Sequence, residues 1–506
     1  MRPRHAGYRH TTQKHGRMNH AAIGPDAATA WERLVYWGLV ALLFWAPLPF
    51  GSYRPWAVAL IVIWIAALII LWSAGWALGQ CAVHASFYRG RLALVLLALW
   101  AALISLQLAP LPADWVAGVS PGAAAVYSEN YGAALRPVMT LSIDPSATLR
   151  YQLLTFALVG FFALMLLVIQ RTEQIKHFAL MLVGSGLMCS VLALYLHFTG
   201  ASYVLFFEPI GHEVAKGPFH NRNHLAAYLE ICLAVGVGLI VAEFAPAQLT
   251  TWKQRARWLL NLLLSAKARL RLLLIVMVIA LILTRSRMGN AAFFAALIAG
   301  GAVALLCLHA RWKTIVLFLV SMLILDVAVI GSWIGVEHVV KRVQQTAISS
   351  DTKKAQGLQE ESFEERTDQG LSALASVNNF PVFGTGSGTF EAMYPQYKQP
   401  GYMLSLNHAH NDYVEFLVEA GWAGMLLLAG LTALAFVRNI VTLARASRSV
   451  KRGLALGGLI ALISVLIHAT VEFVLQIPAV GMAFVALLGI GWLSSDTLVG
   501  EKKGSE

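Results

Sequence analysis

Charge is what this sequence has least of. Lys, Arg, Asp and Glu make up 13% of its 506 residues, about half the roughly 25% usual in a soluble domain. That density cannot cover a water-facing surface on so long a chain, which excludes an ordinary soluble enzyme. Cysteine is scarce too. Cys81, Cys189, Cys232 and Cys307 form no CxxC pair and three lie in apolar blocks, so they read as packing residues with no disulfide framework or zinc site. No internal repeat relates the two halves. A cleaved signal peptide is not expected either: the basic tail Met1 to Ala30 is long, and the apolar stretch after it leads into more of the same.

Apolar residues are abundant, at 58%, with a mean hydropathy of +0.66. They fall in blocks long enough to cross a bilayer, which takes about 20 residues as a helix. Spans are expected at 33–50, 56–78, 92–111, 150–169, 178–198, 224–244, 270–283, 289–308, 314–334, 414–437, 454–475 and 479–494. The fold class is thus an all-α polytopic membrane protein of about 12 helices. The net charge of +12 does not point to nucleic acid, because the basic residues lie between apolar blocks.

Those basic residues set the orientation, since loops retained in the cytoplasm carry an excess of Lys and Arg. With the N-terminus inside, 25 of the 38 Lys and Arg fall on inside segments. Of the other 13, six lie in one long loop to which the rule hardly applies. Both termini are therefore expected in the cytoplasm. The stretch Trp252 to Arg271 alternates basic residues with Leu-rich runs. It reads either as an amphipathic segment on the anionic leaflet or as a solvated topology signal. Two outside segments are long, Pro112–Leu149 and 335–413, and the second is large enough for a small domain.

Four polar clusters interrupt the apolar text, and this topology puts all of them outside. They are Gly217-Pro-Phe-His-Asn-Arg-Asn-His224, Thr284-Arg-Ser-Arg-Met-Gly289, Arg366 with the Asn378–Phe390 stretch, and Asn407-His-Ala-His-Asn-Asp412. Arg285 and Arg287 read as snorkelling anchors or, as two cations in one short outside turn, as partners of an anion. Arg222 among Asn and His is harder to explain as packing. The glycines Gly384, Gly386 and Gly388 lack the Lys-Ser/Thr of a phosphate loop and read as a plain flexible turn. His408 and His410 have no third ligand at a familiar spacing, which argues against metal. Asp412, Glu415 and Glu419 share one face of the tenth span, where a salt bridge to one of the arginines is the expected role for at least one of them. Together the clusters offer a base, permanent cations whose planar forks suit phosphate oxygens, and amide hydrogen-bonding groups. That set suits a transfer in which a phosphate-bearing group leaves and a hydroxyl attacks.

His410-Asn411, nine residues, Gly421, two residues and Gly424 resembles the signature of the O-antigen ligase and O-antigen polymerase superfamily. Asn221-Arg-Asn-His224, Ser286-Arg287, the Gly384–Phe390 turn and the long loop before a late set of helices are similar to it as well. The resemblance implies a glycosyltransferase of the C type (GT-C), metal-independent and without cofactor, acting at the periplasmic face. Its donor would be a glycan on undecaprenyl pyrophosphate and its acceptor the lipid A core, as in lipopolysaccharide biosynthesis. A repeat unit would be the acceptor in a polymerase, and Ser or Thr in a protein-directed branch. It implies His410 as catalytic base and Arg222, Arg287 and Arg366 near the pyrophosphate, with Arg285 an extra cation. His408, Asn411, Asp412, Asn221, His224, Gly384 and Gly386 are supporting residues. The chain then divides into a cytoplasmic tail (1–32), nine spans (33–334), a periplasmic loop domain (335–413), three spans (414–494) and a second tail (495–506). A transporter is the remote alternative. It would be expected to keep ionisable groups near the bilayer midplane, whereas these lie at span ends.

Overall fold

Lipid length and helix caps explain most of the architecture. The computed structural model describes residues 29–131, 137–201, 214–242, 266–307, 368, 370–399 and 406–495. Its first part holds α1 (Ala30–Trp45), α2 (Pro55–Ala77), α3 (Ala85–Arg89), α4 (Arg91–Leu108), α5 (Ala113–Val119), α6 (Pro121–Tyr131), α7 (Pro145–Val168) and α8 (Thr172–Thr199). Then come α9 (Arg222–Ala242), α10 (Ala266–Leu283), α11 (Arg287–Cys307), α12 (Phe390–Met393), α13 (Asp412–Arg445), α14 (Ser449–His468) and α15 (Pro478–Ser494). A two-residue antiparallel pair, Leu111–Pro112 with Val138–Met139, ties off the segment around α5 and α6. Among the described residues, eight helices (α2, α4, α7, α8, α9, α11, α13 and α14) are long and apolar enough to cross a membrane, and α15 is a shorter apolar helix.

Local chemistry sets the ends. Proline occupies the first turn of α2, α7 and α15, where its missing N–H costs nothing. The Asp144 carboxylate caps α7 by accepting from the Ser146 and Ala147 amides. Gly200 closes α8 in the left-handed conformation. The span expected at 314–334 lies outside the described residues, as does most of Trp252–Arg271. Two expected spans have different ends. The eleventh stops at His468 instead of 475, because residues 469–477 leave the helix and are held as a loop by Asp412. The tenth runs from Asp412 to Arg445, well past 437.

α9 is almost wholly buried and forms the axis of the bundle. Its closest partner is α14, and small residues make the approach possible. A methyl group on Gly238 would collide with the Gly453 carbonyl, and its neighbours include Gly457. Lipid tails supply no hydrophobic drive between helices, so such backbone proximity is what holds them. The same interface buries Glu230, which accepts from Ser464 Oγ at 2.6 Å and lies 2.7 Å from His468 Nδ1. A carboxylate at that depth persists only when partnered.

The two ends of the bundle differ. At one end Arg438 donates to Ser495 and to the Arg89 carbonyl, and Arg448 donates to Thr172. Arg171, Arg445, Lys451 and Arg452 belong to the same end. The other end gathers the loops 46–54, 214–221, 284–286 and 469–477. Phe50 bridges Phe219, the Ala479 amide donates to Gly51, and the Ala215 amide donates to Leu283.

Candidate functional site

Three of the sequence clusters become capped helix starts at this second end. The Asn221 side chain accepts from the Asn223 amide at 2.9 Å and opens α9. The Ser286 hydroxyl, buried in the turn, accepts from the Gly289 amide at 3.2 Å and opens α11. The Asn411 side chain accepts from Tyr413 and Val414 and opens α13. Each start leaves the positive end of a helix facing the same side. Arg222, Arg285 and Arg287 are exposed there. Gly289 packs on Ala226 and near Glu230, so Arg287 stands beside the opening turns of α9. Arg366 lies outside the described residues.

Below its cap, α13 is broken at Gly421, whose φ of 62° and ψ of −169° fall in a region open essentially to glycine alone. The break frees backbone groups on both sides, and the 381–387 turn takes them up. Thr385 and Gly386 donate to the Val418 and Glu419 carbonyls, while Trp422 and Ala423 donate to Pro381 and Val382. Gln107 completes the joint. Its amide donates to the Phe383 and Glu419 carbonyls at 2.7 and 2.8 Å, and its oxygen accepts from the Ser387 amide. Gly384 and Gly386 therefore lie buried in a splint for a broken helix, a correction to the flexible turn expected from sequence. At Gly421 a Cβ would strike the Val382 carbonyl. Gly421→Ala is expected to destabilise the fold by at least about 1–3 kcal/mol, read as a lowered Tm in detergent. An unchanged Tm would argue against the joint.

The three carboxylates of α13 also differ from expectation. Among the described residues none of them pairs with an arginine, because they are buried beneath the turn while the arginines are exposed. Glu415 lies 2.7 Å from His408 Nδ1 and accepts from the Ala409 amide. Asp412 accepts from the Leu475 amide at 3.0 Å. Glu419 accepts from the Phe390 amide at 2.9 Å.

His410 sits immediately before the Asn411 cap with a φ of 50°, a left-handed conformation that is costly for a residue with a side chain. Its Nδ1 lies 3.2 Å from Glu472 Oε2, and Glu472 Oε1 accepts from Asn223 Nδ2 at 2.5 Å. The His410 side chain keeps 19% of its surface open while Glu472 keeps 6%, so the imidazole is reachable and the carboxylate is not. Burial by itself pushes the Glu472 carboxyl up, but the hydrogen bond and charge of His410 outweigh it and hold it down at about 2. Glu472 is thus ionised at neutral pH and can only accept. Phe473 stands among three histidines: its ring stacks on His408 at 4.0 Å and meets His224 and His410 edge-on at 4.8 and 5.0 Å. Burial lowers His408, yet the charge and hydrogen bond of Glu415 leave it raised above the ordinary histidine value.

The structure brings His224, His408, His410, Asn221, Asn411 and Asp412 to one end and sets Gly384 and Gly386 in the splint beneath. Sequence reasoning did not single out Glu472, Asn223, Phe473 or Gln107. Glu472 fell inside the expected span 454–475, where its only signal was an acidic residue in an apolar text. Asn223 stood within a cluster already noted.

An apolar helical bundle with basic residues at one end and histidines, arginines and capped helix starts at the other defines a polytopic membrane protein with a polar, one-sided site. Within that class, residues 272–429 match the family model described as O-Antigen ligase. The matched stretch contains Ser286, Arg287, the splint and His408 to Gly424. It leaves out Asn221–His224 and Glu472. No curated protein matches the chain.

Proposed function

We propose that this chain is an O-antigen ligase that moves a glycan from undecaprenyl pyrophosphate to the lipid A core oligosaccharide. The observation that carries the proposal is the open imidazole of His410, backed by Glu472, at the end where exposed arginines top capped helix starts. Because ionised Glu472 only accepts, the neutral form of His410 carries its proton on Nδ1 and presents a lone pair at Nε2. Nε2 takes the proton of the acceptor hydroxyl, whose oxygen then attacks the anomeric carbon. The bond from that carbon to the phosphate oxygen breaks, and the pyrophosphate leaves with the electron pair. Attack opposite the leaving group inverts the anomeric configuration. Arg222, Arg287 and Arg366, with Arg285 as a further cation, stabilise the departing charge, aided by the helix N-termini. This charge supply makes a divalent metal unnecessary.

The periplasmic face of the bacterial inner membrane is the matching location, with both termini in the cytoplasm, because the charge asymmetry puts the Arg438–Arg452 end inside. A single cysteine at exposed Thr470, in a background free of the four native ones, is expected to react with an impermeant reagent in cells opened only at the outer membrane. Labelling only after the inner membrane is breached would reverse the orientation. The acceptor is tested by lipopolysaccharide banding. Cells lacking the protein should show core without long chains and should recover them with the wild-type chain. Long chains that stay attached to undecaprenyl pyrophosphate and change only in length would make it a polymerase instead.

A further inference from the structure

Glu472 has no partner in the matched segment's motifs other than His410, yet it is among the best-held side chains at this end. We propose that Glu472 is a positioning residue that, bridged between Asn223 Nδ2 and His410 Nδ1, fixes the imidazole with Nε2 toward the acceptor hydroxyl. The proposal rests on the reading of His410 as the base.

Three features support it. First, the carboxylate uses one oxygen for each of two donors on different elements, Asn223 in α9 and His410 before α13. It therefore ties the two polar clusters together instead of solvating one of them. Second, the backbones of the two residues are fixed to each other. The Asp412 amide donates to the Ala469 carbonyl at 2.9 Å and the Leu475 amide donates to the Asp412 carboxylate. Those bonds pin the loop three residues before and three after Glu472, two residues from His410. Third, the ring is flanked by a packed neighbour. Phe473 meets it edge-on at 5.0 Å, next to a His410 backbone held in the left-handed conformation. The other titratable groups facing this pair are His224 of α9, His408 with Glu415 behind it, and His468 of α14. A base whose far nitrogen is held by a carboxylate is the arrangement that selects one tautomer.

The test uses full-length protein in detergent, with undecaprenyl-pyrophosphate-linked O-antigen as donor and core lipopolysaccharide free of O-antigen as acceptor. Glu472→Gln is expected to fold with an unchanged donor KM and a kcat about 10–100-fold lower. Glu472→Asp should recover part of that loss. Because Glu472 acts through His410, adding Glu472→Gln to His410→Ala should cause no further fall. In wild-type protein labelled with ¹⁵N-histidine, the His410 signal, assigned by its loss in His410→Ala, should report a protonated Nδ1 and a bare Nε2. The opposite tautomer overturns the proposal whatever the variants do. Full turnover by Glu472→Gln, with His410→Ala inactive, also overturns it but leaves the base in place. Full turnover by His410→Ala removes the base reading on which the proposal rests.

Discussion

His410→Ala should fold, reach the membrane and transfer glycan about 10²–10⁴-fold more slowly than wild type, the range lost with a positioned general base. The loss should fall on turnover, because a base proposed to act on the acceptor hydroxyl would not touch the donor's lipid. Two neighbours compete for the role. His408 is committed to Glu415 and lies flat on Phe473, and Asp412 is buried with its carboxylate on the Leu475 amide. Assaying His408→Ala, His410→Ala and Asp412→Ala together, with membrane level and donor binding measured separately, distinguishes them. Near-normal turnover by His410→Ala, or a product with retained anomeric configuration, would sink the mechanism.

Arg287→Ala is expected to lower kcat about 10²–10³-fold, as loss of a donor that stabilises transition-state charge does. Arg287 is the first residue of α11, so its guanidinium adds to that helix's positive end. Lysine should restore little, since a point charge cannot reproduce the bidentate fork. Arg222→Ala should behave alike. Transfer should persist in a chelator. Full activity of purified Arg287→Ala removes that residue from the site, and a requirement for added divalent metal would undermine the whole charge argument.

The spans were legible because the bilayer imposes a length and a composition on each one. Helix existence was therefore read well, from Pro55–Ala77 to Pro478–Ser494. Helix ends were less legible where an apolar text continued through a turn. Val471, Phe473, Val474 and Leu475 look like a span, yet they form the loop that carries Glu472. The partner of His410 is thus hidden in hydropathy, and only the bonds from Asp412 reveal the bend. The Gly384 run was visible but misjudged, since nothing local in it announces that its amides serve a helix break 33 residues away. Asp412, Glu415 and Glu419 were grouped on one face, but among the described residues none of them meets an arginine, because burial depth is not written in helical spacing.

The break at Gly421 also bears on the order in which the molecule is completed. An unbroken helix satisfies its own backbone as soon as it enters lipid. Here the exposed carbonyls of Val418 and Glu419 wait for a turn synthesised earlier and for Gln107, which is 312 residues upstream. His410 in turn waits for a carboxylate 62 residues downstream. Contacts of such separation form late, after local helices. The chain thus threads into the membrane with its His410 end unassembled, and that end is complete only once the final pair of helices has arrived.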